Sequence, residues 1–143
     1  MKNTIKKALA TLKDFLESNE PVDMTRIIPA VLQEEFEESI SLVLEQTMVL
    51  ECHIEKGVYF INMEHSGVRP GMGSTPLKVI PRISQVLRRF YRNQGIPLAK
   101  NEVHIMYSAN GLVIEIALNN YGLKQIRRRN YEQVKFLRQK YGR

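Results

Sequence analysis

The segment KQIRRRNYEQVKFLRQKYGR, residues 124–143, holds eight Lys or Arg against a single acid, Glu132. Tyr131, Phe136 and Tyr141 are interleaved with them. This mixture suits phosphate contacts by guanidinium and ammonium groups, with an aromatic ring free to stack on a base or sugar. Helical spacing sharpens the pattern. Leu123, Ile126, Val134, Leu137 and Tyr141 share one face and are expected to face a core. Lys124, Arg127, Arg128, Lys135 and Arg138 cluster beside them over about 100°, with Tyr131 in their midst. Arg129 and Lys140 fall off both stripes. An ordinary solvated helix face mixes signs; this one has almost no acid.

A second row comes from RISQVLRRFYRNQ, residues 82–94. Ile83, Val86, Leu87 and Phe90 share one helical face, and Arg82, Gln85, Arg88, Arg89 and Arg92 gather on the opposite one. Arginine in both rows suits bidentate contacts with phosphates and base edges better than lysine.

Other chemistry finds little support. His53, His65 and His104 form no H-x-x-x-H pair. Cys52 and His53 are neighbours on an expected strand and so point to opposite faces, which argues against a shared metal. Cys52 is expected to be a small buried hydrophobe. His104 is placed on the polar side of its strand, where solvation is the default. Glu102, Glu115 and Glu132 are the only acids after residue 64, too few for a two-metal nuclease centre. The stretch EHSGVRPGMGSTP lacks the G-x-x-x-x-G-K-[ST] pattern of a phosphate loop. No catalytic residue, metal ligand or cofactor is expected.

The elements that must position these residues follow from periodicity and turn chemistry. Residues 3–18 read as an amphipathic helix with Ile5, Leu9, Leu12 and Leu16 on its stripe. Pro21 ends it, and Asp23 caps a short helix that Pro29 ends or kinks. Residues 33–46, QEEFEESISLVLEQ, read as a third helix. A hairpin follows over 48–62, turning at Lys56-Gly57, and a Gly/Pro-rich linker over 65–76. The second half begins with PLKVI, read as extended, then Pro81 in the first turn of the helix bearing the arginines. A second hairpin spans 102–119 with Asn110-Gly111 at its turn, and a last helix covers 121–141. The fold class is α+β, built either as two modules (1–64 and 77–143) or as one four-stranded antiparallel sheet with helices packed on it.

Charge divides the chain at the same place. Residues 1–64 contain six Lys or Arg and twelve Asp or Glu, a net of −6. Residues 65–143 contain fifteen and three, a net of +12. The basic half attracts polyanions at long range, and the acidic half repels them. The single cysteine fits a reducing, cytoplasmic compartment. No apolar run reaches the roughly 18–20 residues of a membrane span, and the N-terminus lacks the apolar core of a signal peptide.

The order helix, short helix, helix, hairpin resembles the winged-helix superfamily. The resemblance rests on Ala8–Leu16, the EPVDMTRII connection, the third helix ending at Leu44, and the hairpin Met48–Ile61. In a DNA-binding member the third helix enters the major groove. Here that helix carries Glu34, Glu35, Glu37, Glu38 and Glu45 and no cation. Glu34, Glu35, Glu38 and Glu45 are therefore expected to meet a protein partner or a second copy of the chain. The expectation is a non-enzymatic nucleic-acid-binding protein, DNA before RNA, of the kind that serves as a transcription or replication accessory factor. The alternative is an adaptor or self-assembling protein held by the opposite charges of its halves.

Overall fold

The computed structural model describes residues 2–73, 75–108 and 111–142. Asn110 of the expected turn, Ser74 of the Gly/Pro-rich stretch and Arg143 lie outside the described residues. The elements are α1 (Lys2–Ser18), α2 (Gln33–Ile40), β1 (Leu44–Glu45), β2 (Met48–Glu55), β3 (Val58–Glu64), β4 (Gly67–Val68), α3 (Pro76–Asn93), β5 (Val103–Tyr107), β6 (Gly111–Ala117) and α4 (Asn120–Tyr141). The chain is α+β, as its periodicities indicate.

Strands rich in β-branched and aromatic residues build one four-stranded antiparallel sheet, ordered β2-β3-β6-β5. The two hairpins join at its centre, where Val58 pairs with Ala117 and Ile61 with Ile114. Alternation then sorts side chains between two faces. Tyr59, Ile61, Met63, Ile105, Leu112, Ile114 and Ile116 meet Phe36 and Ile40 of α2 and Val79, Ile83, Leu87 and Phe90 of α3 in the main core. On the opposite face Val58, Phe60 and Ala117 receive Leu123 and Ile126 of α4. Residues 65–76 thus connect elements of one core, not two separate ones. Part of the stretch is strand, since β4 pairs with β1.

Several elements differ from expectation. α2 stops at Ile40 instead of reaching residue 46. Ser39 and Ser41 bond back to the carbonyls of Glu35 and Glu38, the competition that makes serine a poor helix interior. Val43 and Leu44 then enter the core, Leu44 from β1. α3 begins at Pro76, so PLKVI is helical, not extended. Pro76 suits a first turn, where no N–H is needed. Pro81 lies inside the helix and leaves the Leu77 carbonyl without its usual donor; both residues are exposed, so water can serve that carbonyl.

α1 packs along the start of α4, and its Ile5–Leu16 stripe is not buried. Cys52 is exposed, not buried, because β2 is the sheet's edge and no helix covers its end of the face. The other edge is closed. Asn130 and Gln133 of α4 donate to the Val103 and Ile105 carbonyls of β5, each at 2.8 Å, which blunts an edge that would otherwise recruit another strand.

Candidate nucleic-acid interface

α4 is set in place at its first turn. Asn119 caps it, its side-chain oxygen accepting from the Gly122 amide at 2.9 Å. Gly122 lies directly on the Lys56-Gly57 turn; a Cβ there would come within 1.8 Å of the Gly57 carbonyl oxygen. Ile126 is fully buried and fixes the rotation of the helix about its axis.

That rotation turns the predicted row outward. Lys124, Arg127, Arg128, Tyr131, Lys135 and Arg138 are all exposed, Tyr131 at 70%. Lys124 is already engaged, its ammonium 2.6 Å from the Glu17 carboxylate of α1. Arg128 donates to Gln125 at 2.8 Å. Among the described residues, no carboxylate pairs with Arg127, Arg128, Lys135 or Arg138. The row is therefore a set of solvated cations around a solvent-facing ring.

The expected core stripe of α4 holds only in its first half. Val134 and Tyr141 are exposed and Leu137 is half-buried. A helix of 22 residues runs about 33 Å, well past strands of five to seven residues. Its overhanging half forms a groove of about 840 Å³ with α3 and β5, walled by Ile80, Met106, Phe136 and Leu137.

The residues off both stripes turn toward the sheet. Arg129 forms an ion pair with Glu115, which is 1% exposed on β6, and its guanidinium lies 5.3 Å from the Phe60 ring centroid. His104 is 4% exposed rather than solvated. The cause is α4, which roofs the face that alternation assigned to polar residues. His104 Nδ1 lies 3.0 Å from Asn130 Oδ1. Asn130 spends its amide protons on Val103, so Nδ1 carries the hydrogen in this bond. Nε2 lies 3.4 Å from Glu115. Burial, with Arg129 nearby, holds the imidazole below its ordinary pKa; the bond to Asn130 opposes this in part. Sequence reasoning missed this cluster. The available signal was His104 and Glu115, each interrupting an otherwise apolar strand, together with Arg129, which falls off both stripes of α4.

The α3 row lies elsewhere. Arg82, Arg89 and Arg92 are exposed, and Arg88 is half-buried with its Nε bonded to Ser84 at 3.3 Å. α3 covers one face of the sheet and α4 the other, so the two rows are not one continuous surface. On α2, Glu34, Glu35 and Glu38 are exposed; Glu45 is exposed on β1, not on the same helix. The charge halves meet mainly through other residues: Arg26 with Glu102 at 2.8 Å, and Lys124 with Glu17.

Among the described residues, no group of three or more His, Cys, Asp or Glu is placed to hold a metal ion, and no helix is long and apolar enough to cross a membrane. No family model, curated protein or solved structure matches the chain.

Proposed function

We propose that this chain is a non-enzymatic nucleic-acid-binding protein that grips backbone phosphates with the outer face of α4. The observation that carries this reading is the exposed row Arg127, Arg128, Lys135 and Arg138 around Tyr131, with no carboxylate paired to any of them among the described residues. The cations take phosphates, and Tyr131 stacks on a base or sugar. The exposed acids Glu34, Glu35, Glu38 and Glu45 repel the same polyanion and suit a basic protein partner. Duplex DNA is the favoured ligand, and a transcription or replication accessory role in the cytoplasm is the setting this bipartite charge fits.

The test is a binding titration against duplex DNA, single-stranded DNA and RNA over a range of salt. Log affinity is expected to fall linearly with log salt. The variant Arg127→Ala/Arg128→Ala/Arg138→Ala should bind at least tenfold more weakly and lose about 2–3 from the slope, near 0.9 per phosphate contact. Arg129 is left in place because it neutralises Glu115. Unchanged binding by the triple variant would rule out this surface.

A further inference from the structure

Five large apolar side chains of α1 face water: Ile5, Leu9, Leu12, Phe15 and Leu16, each 53–63% exposed. Along this helix of 17 residues they form a continuous strip about 17 Å long, from Ile5 to Leu16. Isolated surface leucines are ordinary, but an unbroken strip marks an interaction site. Its spacing says what kind. Ile5, Leu9, Leu12 and Leu16 recur at intervals of four, three and four residues. That is the 3.5-residue seam of a helix pair, narrower than the stripe of a helix lying on a sheet.

We infer that α1 is a dimerisation helix, covered by the α1 of a second copy running antiparallel. Two features select this occupant. First, charge along the helix is polarised. Lys2, Lys6 and Lys7 lie in its first half with no acid, a net of +3, and Lys13, Asp14 and Glu17 lie in its second half, a net of −1. An antiparallel partner sets each basic half beside an acidic half; a parallel one would align like with like. Second, α1 is already anchored on its flank. Lys124 of α4 holds Glu17 at 2.6 Å. The helix is thus formed and oriented with its seam outward before the partner arrives, which lowers the ordering cost of association. The antiparallel register places Ile5 opposite the second copy's Leu16 and Leu9 opposite its Leu12. The flanking Ala8 and Phe15 widen the contact. Because α1 packs along α4, the dimer carries two copies of the α4 row.

Light scattering of the full chain without nucleic acid tests this apart from the α4 reading. The expected mass is twice the 16.6 kDa of one chain. Leu9→Lys/Leu12→Lys should halve it while leaving the helical circular dichroism unchanged, since both side chains are exposed. The register is read by cysteine pairing in a Cys52→Ser background, which removes the only native thiol. A mixture of Leu9→Cys and Leu12→Cys chains should cross-link into the mixed disulfide much faster than either links to itself. A wild-type monomer, a dimer that survives the double lysine variant, or efficient Leu9→Cys self-linking would each overturn the proposal. So would a monomer whose α1 binds anionic vesicles.

Discussion

Glu115 is nearly sealed from water on the central strand β6, within a row that crosses the whole sheet. His53, Phe60, Glu115 and His104 are successive cross-strand partners. His53 stacks on Phe60 with 4.6 Å between centroids, Arg129 lies over Phe60, and Glu115 stands between Arg129 and His104. A carboxylate so buried is tolerable only when paired and hydrogen-bonded. Arg129 is the one cation that reaches it among the described residues. Arg129→Ala should therefore destabilise the fold by about 3 kcal/mol, the order expected for stranding a buried charge. Urea denaturation checks this. Adding Glu115→Gln to Arg129→Ala should restore more than half of the loss, because the stranded charge is gone. A loss below about 0.5 kcal/mol, typical of a surface site, would mean that Arg129 is only another solvated cation. The sequence marked Arg129 as off the cationic stripe but held no sign of its partner, since Glu115 lies 14 residues away on an element whose covering helix was not assigned. Cys52 and His104 were misplaced for the same reason. Alternation says which face a side chain takes, not whether a helix roofs that face.

At the scale of elements, the meeting of α4 with the β2–β3 turn decides where the cationic row points. Lys56 and Gly57 both adopt positive φ, 52° and 72°, as a tight two-residue hairpin turn requires. Gly122 presses on that turn without a side chain between them. Gly122→Ala gains helix propensity, worth about 1 kcal/mol, but its Cβ must displace backbone atoms. Overpacking of this kind costs about 1–3 kcal/mol. The net expectation is a lower thermal midpoint, with α4 shifted off the turn. A midpoint equal to or above wild type would show that the contact is not tight. Gly57 was legible as a turn residue, and α4 as a helix, from local pattern alone. Their contact was not, because it joins residues 65 apart in sequence. The same limit explains α2 and α3. Periodicity found their apolar faces, but Leu44 left the helical pattern to enter the core, and Pro81 was tolerated where a first turn was expected.

The molecule as a whole sets which cations a polyanion meets. The charge step was plain in the sequence, and so were both arginine rows; that they sit on opposite faces followed only from the way the hairpins pair. α3 shares its face of the sheet with α2, and Phe36 meets Phe90 edge-on with 5.4 Å between ring centroids. The exposed acids Glu34, Glu35 and Glu38 therefore belong to the helix next to Arg82, Arg89 and Arg92. With a Debye length of about 10 Å at 0.1 M salt, charges on adjacent helices still offset one another. Beside α4, the Glu17 carboxylate of α1 is taken by Lys124, and among the described residues no carboxylate pairs with Arg127, Arg128, Lys135 or Arg138. A duplex docked on α4 would then leave the α3 row on the far side of the sheet. Arg82→Ala/Arg89→Ala/Arg92→Ala should weaken binding less than about threefold and change the salt slope by less than about 1, the equivalent of one phosphate. Replacing Arg127, Arg128 and Arg138 removes most of the interaction. Parallel titrations of the two triple variants decide the matter. Equal losses would require a ligand that wraps the sheet and touches both helices, and a larger loss from the α3 variant would move the interface to that face.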